Sequence, residues 1–200
     1  DGSITKYISG NKGITIGDIQ YPQSIFTLWS ADEKKAIGIY EVEYDNTNKK
    51  DEAWYINTNQ SFAFANDKVT GSYGSATAKA HADTTWTQED SDDGLMPSDQ
   101  SIGDIKTRGL KYNLIQTIKK QAAGELQNTD WYVVRKADAG TAVPSAITTY
   151  RAAVRTKADE METAITNASN IPALETLYTF TKQEDGSVTR PLGELPTLES

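Results

Sequence analysis

Apolar residues in the second half of the chain follow a helical spacing in two separate stretches. In the first stretch, the residues that fall on one side of a helix are Ile105, Leu110, Leu114, Ile118, Ala122 and Leu126. In the second stretch, they are Ile147, Tyr150, Val154, Ala158, Met161 and Ile165. Spacings of three and four place side chains on one helix face, and Pro144 suits the first turn of the second helix. Two facing apolar stripes predict a two-helix hairpin over residues 105–170.

Between residues 39 and 73 the period changes to two. β-Branched and aromatic residues are concentrated in four short segments separated by polar turns, at residues 39–44, 53–57, 61–65 and 69–73. Turns this short favour antiparallel neighbours, so we expect an antiparallel β-meander. A short helix over residues 31–37 should precede the meander, because Ser30 and Glu33 form a capping-box pattern and Gly38 follows.

The remaining segments are polar or punctuated by glycine and proline. The acidic run at residues 89–94 indicates a loop, and Asp185-Gly186 indicates a turn after a strand-like segment. The predicted order is an extended leader (1–24), a β-meander module (25–80), a linker (81–104), the helical hairpin (105–170) and an extended C-terminal arm (171–200). The predicted fold class is therefore α+β, with extended arms at both ends.

Charge is distributed unevenly along a chain of 200 residues with a net charge of −8. The predicted hairpin, residues 105–170, carries +4, so the remainder carries −12. An acidic chain is a poor partner for nucleic acid, whose phosphates require basic surfaces. The asymmetry favours contacts between copies of the chain or between its own halves, while a merely solvated surface is the alternative. The apolar runs are too short to predict a membrane span.

Few residues are suited to catalysis or to metal binding. The chain has no cysteine and a single histidine, His81. Disulfides and thiolate chemistry are thereby excluded, and most histidine-based sites are disfavoured. A calcium loop beginning at Glu89 would place Gly94 correctly, but its twelfth position is Gln100, which cannot supply a bidentate carboxylate. We therefore expect no enzymatic activity, no cofactor and no metal site.

Four residues between the helical stretches and within the second one are candidates for partner contact or for hairpin structure: Trp131, Tyr150, Arg151 and Arg155. The spacer between the helices leaves room for Trp131 to lie wedged between Leu126 and Tyr150. Arg151 and Arg155 could bind carboxylates of a partner. Alternatively, they could pair with Asp130 or Asp138 inside the chain, or pack over Trp131.

One sequence pattern resembles a known family. The pattern begins with Thr129-Asp130-Trp131, continues through a proline-containing spacer, and ends with Tyr150-Arg151 and Val154-Arg155. It is similar to the C-terminal module of bacteriophage tail-fibre assembly and tail assembly chaperone-like proteins, over residues 106–165. A looser similarity covers residues 25–39, in the same order as in that family.

This resemblance implies a bacteriophage virion structural protein of the tail, tail fibre or baseplate. Such a protein acts by protein–protein contacts in assembly or in host attachment, and it is located in the virion. The implied partners are other phage structural proteins and further copies of the chain, without nucleic acid or membrane. The alternative implied by the same resemblance is a non-virion tail-fibre assembly chaperone.

The two terminal segments contain strand-like pieces whose backbone groups need hydrogen-bond partners. We expect at least one of these segments to pair with a neighbouring subunit by adding a strand to its sheet. The alternative is that both fold back on their own domain.

Overall fold

The protein is an α+β chain, as the sequence predicted, and its elements lie in two units. The computed structural model describes residues 3–198. The first unit is Asp1–Ala78 and the second is Lys79–Ser200. Every β-ladder of the described residues closes inside one of these units. Each unit is therefore built from its own elements.

The first unit consists of short strands and two short helices. Its elements are β1 (Ile14–Ile16), β2 (Ile19–Tyr21), α1 (Ile25–Leu28), α2 (Ala31–Ala36), β3 (Val42–Asp45), β4 (Tyr55–Ile56), β5 (Ser61–Ala65), β6 (Lys68–Ser72) and β7 (Thr77–Ala78). The Ser30 side chain accepts a hydrogen bond from the Glu33 N–H, and the Glu33 carboxylate accepts one from the Ser30 N–H. This capping box confirms the predicted short helix.

The predicted antiparallel meander is wrong in its strand order. The three-stranded sheet has the order β3-β6-β5, with β5 antiparallel to β6 but β3 parallel to it. Asn66 and Asp67, both with positive φ, form the tight turn that joins β5 to β6. By contrast, the long segment after β3 carries the chain away to β4, which pairs with β7 instead. A period of two predicts strands but does not specify which strands become neighbours.

One face of this sheet is apolar and the other is polar. In register across the three strands, Tyr44 lies opposite Gly71, and Gly71 lies opposite Phe62. Since side chains alternate between faces, the neighbouring apolar residues on the same face are Val42, Val69 and Phe64. The opposite face presents exposed polar side chains such as Glu43 and Lys68, which form an ion pair at 2.8 Å.

The second unit is mainly helical. Its elements are β8 (Thr84–Thr85), α3 (Gln88–Asp92), β9 (Ile105–Thr107), α4 (Leu110–Gln127), α5 (Asp130–Ala139), α6 (Ser145–Asn167), α7 (Ile171–Tyr178), β10 (Thr181–Lys182) and β11 (Val188–Thr189). No helix within residues 3–198 is long and apolar enough to cross a membrane.

Helices α4 and α6 form the predicted pair and run antiparallel. Tyr150 near the start of α6 contacts Glu125 near the end of α4, whereas Lys111 at the start of α4 donates to the carbonyl of Thr166. The apolar residues predicted for α6 are all buried: Ile147, Tyr150, Val154, Ala158, Met161 and Ile165. Of the predicted α4 stripe, Ile118 and Ala122 are buried. The helical spacing therefore identified the α6 face correctly.

The predicted linker contains ordered elements, which the sequence analysis did not anticipate. Ile105 belongs to strand β9, which pairs with β8, so α4 begins later than predicted. Glu89 and its acidic neighbours lie in helix α3 rather than in a loop. The reason is a second capping box, in which the Thr87 side chain accepts from the Asp90 N–H and Asp90 accepts from the Thr87 N–H. This helical turn replaces the loop considered for calcium.

The C-terminal segment is folded back onto the second unit rather than extended. It begins with α7, which Asn170 caps by accepting a hydrogen bond from the Ala173 N–H. The turn predicted at Gly186 is present, and β10 pairs with β11 around it. The Leu192 side chain is buried, and its N–H donates to the Leu177 carbonyl at 3.0 Å. Burial of this apolar residue gives the segment a reason to return to its own unit.

Candidate functional site

Tyr150 lies inside the helix pair and has a structural role. Its ring is buried, and its hydroxyl lies 2.9 Å from Oε2 of Glu125 and 3.1 Å from the Glu125 carbonyl oxygen. Burial raises the pKa of the Tyr150 hydroxyl, and the hydrogen bond to Glu125 raises it further. The side chain therefore joins the start of α6 to the end of α4 as a neutral donor.

Arg151 is buried, and its Nη1 atom is engaged within its own chain. Its Nη1 donates to the Leu126 carbonyl at 3.0 Å and to Thr129 Oγ1 at 2.6 Å, and it pairs with Asp130 at 2.8 Å. Of the two roles considered for Arg151, the structure contains the intramolecular pairing with Asp130. These bonds satisfy carbonyl and hydroxyl groups where α4 ends, and they fix the point at which α5 begins.

Trp131 is not wedged between Leu126 and Tyr150, which corrects the sequence-based prediction. It is 51% exposed, and its ring stacks on Tyr132 and beneath the Arg135 guanidinium, with 4.7 Å between the ring centroid and Arg135 Cζ. The segment predicted as a spacer is the helix α5, so Trp131 lies in a first helical turn that faces solvent. Two signals could have revealed this helix: Asp130 in its first turn and Gly140 at its end, where φ is 68°.

Helix α5 has no buried residue, and its exposed side chains form the first candidate surface of the molecule. Val134, which is 66% exposed, is three residues from Trp131 and therefore lies on the same helix face. Arg135, which is half-buried, follows on that face and covers the Trp131 ring. We call Trp131, Val134 and Arg135 the α5 surface. It combines a large aromatic ring, an aliphatic side chain and a cation that is held in place.

Arg155 differs from Arg151 although both lie on α6. It is exposed, and its Nη1 donates only a long hydrogen bond, 3.3 Å, to the Arg151 carbonyl. Of the four residues singled out from the sequence, the structure thus places Tyr150 and Arg151 inside the unit. It leaves Trp131 and Arg155 on the surface.

A second candidate surface is a cleft in the first unit, which the sequence analysis missed. It measures about 690 Å³ and lies between residues 3–10 and the apolar face of the three-stranded sheet. Its lining includes Tyr7, Tyr44, Phe62 and Phe64. The alternation of Phe62 and Phe64 on β5 was a signal for an apolar sheet face. Nothing in that alternation indicated that the face is only partly covered.

An ion pair lies at one side of this cleft. Lys34 is mostly buried, and its Nζ donates to Glu41 at 2.6 Å. The hydrogen bond from Lys34 lowers the pKa of the Glu41 carboxyl below its ordinary value, and the charge of Lys34 acts in the same direction. The Glu41 carboxyl is therefore ionised at neutral pH, and Lys34 is already paired within its own chain.

Within residues 3–198, no group of three histidine, aspartate or glutamate side chains is arranged to hold a metal ion. His81 contributes its backbone carbonyl, which accepts a hydrogen bond from the Lys111 N–H near the start of α4. Compared with protein families, with curated proteins and with solved structures, the chain shows no match. The two surfaces described above are therefore the features of the molecule that bear on its function.

Proposed function

We propose that the chain is a bacteriophage virion structural protein of the tail, tail fibre or baseplate. It acts by contacts with other virion proteins and with further copies of itself. The observation that carries this proposal is the α5 surface, where Trp131 and Val134 are exposed side by side on a helix with no buried residue. Exposed apolar groups that lie together on a helix are typical of surfaces that become buried in a complex.

The composition of the α5 surface supports a contact role. Tryptophan, tyrosine and arginine provide a large share of the binding energy in protein interfaces. Trp131, Tyr132 and Arg135 are stacked on one another before any partner binds. Little side-chain entropy therefore remains to be lost on binding, and that favours affinity.

The attachment of α5 supports the same role. Arg151 holds Leu126, Thr129 and Asp130 together at the start of α5. The helix is therefore presented from a fixed point, although its outer face is solvated. The segment that resembles phage assembly proteins contains both the surface residue Trp131 and the anchoring residue Arg151. One sequence pattern therefore covers both the α5 surface and the contacts that hold the start of α5.

Mass spectrometry of purified particles tests the proposal directly. We expect peptides of this chain in the particles at a stoichiometry of many copies. Trp131→Ser should reduce incorporation while leaving the helical circular dichroism of the free chain unchanged. Tyr112→Ser is the matched control, because Tyr112 is also an exposed helical aromatic with an arginine, Arg108, over its ring at 4.3 Å. Absence of the chain from purified particles would overturn the proposal.

The alternative function, a non-virion assembly chaperone, is favoured by one observation. A chaperone needs an apolar groove for its client, and the cleft beneath residues 3–10 is lined by Tyr44, Phe62 and Phe64. In that case, the chain should co-purify with newly made fibre protein in infected cells and be missing from finished particles. The same mass spectrometry experiment therefore separates the two functions.

A further inference from the structure

Strand β5 is an unprotected edge of the three-stranded sheet. It pairs with β6 on one side, and within residues 3–198 no strand lies along its other side. The sequence of β5 contains no charge and no proline, and no bulge interrupts its register with β6. The opposite edge of the sheet, β3, carries Glu43 and Asp45. Charged side chains, prolines and bulges keep edge strands from pairing with other chains, so β3 is protected and β5 is not.

The tight turn between β5 and β6 determines which backbone groups of β5 face the free edge. A two-residue turn makes the residues that flank it a hydrogen-bonded pair, and here these residues are Ala65 and Lys68. Hydrogen-bonded and non-hydrogen-bonded pairs alternate along an antiparallel ladder. Phe62 and Phe64 therefore direct their N–H and carbonyl groups outward. No backbone group elsewhere in residues 3–198 bonds to them.

The side chains of β5 form a pattern that is symmetric about Ala63. Phe62 and Phe64 flank it on one face of the sheet, and Ala63 is exposed on the other face. In an antiparallel pair of β5 strands with Ala63 on the two-fold axis, Phe62 of each copy lies opposite Phe64 of the other. The outward backbone groups of these phenylalanines then form four hydrogen bonds between the copies. The edge is therefore complementary to itself, as a two-fold interface requires.

The surroundings of β5 favour this pairing. Phe62 and Phe64 are only half-buried, although the Tyr7 ring lies 5.7 Å from Phe62 and the Tyr40 ring 4.8 Å from Phe64, centroid to centroid. Cross-strand aromatic pairs stabilise antiparallel strands, and the rings of a second copy would cover the exposed parts of these phenylalanines. Charge does not oppose the contact, because residues 53–66 contain no charged side chain.

We propose that two copies of the chain join through their β5 strands, which pair antiparallel about a two-fold axis at Ala63 and form one continuous sheet. This inference rests on the proposed function, since it names a self-contact by which copies assemble, and the contact does not use the α5 surface. The partner is a second copy because the free edge of β5 matches itself in both backbone groups and side chains. An internal strand thereby performs the strand addition that the sequence suggested for a terminal segment.

Opposite charges at position 63 test the pairing and its register together. Ala63→Lys places two like charges directly opposite each other at the two-fold axis and should raise the dissociation constant of the dimer about fivefold. Ala63→Glu should act in the same way. An equimolar mixture of the two variants should restore association, because each lysine then lies opposite a glutamate. Analytical ultracentrifugation of the wild type, both variants and their mixture measures these constants.

Thr70→Lys is the matched control. Thr70 lies opposite Ala63 in the ladder and is also exposed, so the substituted side chain lies on the same polar face but on the central strand β6. This substitution should leave the dissociation constant unchanged. The circular dichroism spectra of all three variants should match that of the wild type, because both positions are exposed.

Ala63→Cys provides an independent measurement, because the chain has no cysteine. Residues directly opposite each other in a non-hydrogen-bonded pair have Cα atoms about 4.5 Å apart, a distance that a disulfide spans. Under mild oxidation, Ala63→Cys should therefore form a disulfide-linked dimer faster than Thr70→Cys does at the same protein concentration.

Four results would overturn the β5 pairing. The first is a chain that stays monomeric at every concentration. The second is an equal effect of Ala63→Lys and Thr70→Lys on the dissociation constant. The third is a mixture of Ala63→Lys and Ala63→Glu that associates no better than either variant alone. The fourth is an equal rate of disulfide formation by the two cysteine variants. None of these results bears on the presence of the chain in purified particles, which tests the proposed function separately.

Discussion

Arg151 and Arg155 show how two identical side chains on one helix acquire different roles. The Arg151 side chain is 11% exposed and binds Leu126, Thr129 and Asp130, whereas Arg155 reaches into solvent. Asp130 itself is more than half exposed, so solvent screens this ion pair and reduces its contribution to stability. The hydrogen bonds to the Leu126 carbonyl and the Thr129 hydroxyl are the larger contribution.

Arg151→Ala should lower the free energy of unfolding by about 1–3 kcal/mol, because it removes the charged donor from the buried Thr129 hydroxyl and from the Leu126 carbonyl. Arg155→Ala is the control and should change it by less than ~0.5 kcal/mol. Urea denaturation followed by circular dichroism measures both. Equal effects of the two substitutions would contradict the assignment of Arg151 as the buried anchor.

Trp131 gives a second prediction at this scale. A wedged tryptophan would cost about 3–5 kcal/mol on truncation to alanine. Because Trp131 is half exposed on α5, Trp131→Ala should instead cost less than ~1 kcal/mol. Met161→Ala, in the buried face of α6, should cost about 2–5 kcal/mol in the same urea experiment. A large loss of stability on replacing Trp131 would contradict its exposed position and support the wedge between Leu126 and Tyr150.

At the scale of the element, one glycine precedes α4 and another lies inside it near its end. Replacing each of them with alanine should change the stability of the protein in opposite directions. Gly109 precedes the helix, and a Cβ there would collide with the backbone carbonyl of Ala82. Gly109→Ala should therefore destabilise the protein by about 1–3 kcal/mol. Gly124 lies inside α4 with open space around its Cα, so Gly124→Ala should stabilise by about 0.5–1 kcal/mol. Thermal denaturation of both variants decides whether the signs differ.

The start of α4 also predicts a dependence on pH. Asp83 accepts a hydrogen bond from the Gly109 N–H at 2.8 Å and one from Arg108 at 2.6 Å. The bond from Gly109, followed by that from Arg108, lowers the pKa of the Asp83 carboxyl below its ordinary value of 3.8. A carboxyl whose pKa is lower in the folded state stabilises the protein above its unfolded pKa. That contribution is lost as the pH falls through the folded pKa.

Asp83→Asn should accordingly be less stable than the wild type at neutral pH. The difference should shrink as the pH is lowered beneath 3.8. Denaturation curves for both chains at neutral and strongly acidic pH provide the test. A difference that stays constant over this range would show that the charge of Asp83 does not contribute.

At the scale of the whole molecule, the two units should fold separately. The ladders of β4 with β7 and of β8 with β9 each close within one unit, as does the pairing of α4 with α6. A fragment consisting of Lys79–Ser200 should therefore retain its helical circular dichroism and unfold cooperatively. Met161→Ala should weaken this fragment as much as it weakens the same transition in the full chain. A fragment without cooperative unfolding would show that the second unit depends on the first.

Features that depend on residues close in the chain could be predicted from the sequence alone. Periodicity predicts the buried face of α6. The spacing of Ser30 and Glu33 predicts the capping box, and the glycine at position 186, a residue that adopts a positive φ readily, predicts the turn. The α+β class follows from the same local signals. The missed helices α3 and α5 also had local signals, namely Thr87 with Asp90, and Gly140.

Other features were decided only by the tertiary structure, because they depend on which distant surfaces meet. Local pattern does not specify that β3 lies parallel to β6, or that Leu192 returns to the second unit. The candidate surfaces belong to this class as well. Which of Arg151 and Trp131 points inward depends on the space left between α4 and α6. Tyr150 fills the part of that space beside Glu125, and Arg151 binds the Leu126 carbonyl next to it. Periodicity determines which face of an element is apolar, whereas the competition among all faces for a limited core determines which side chains remain exposed.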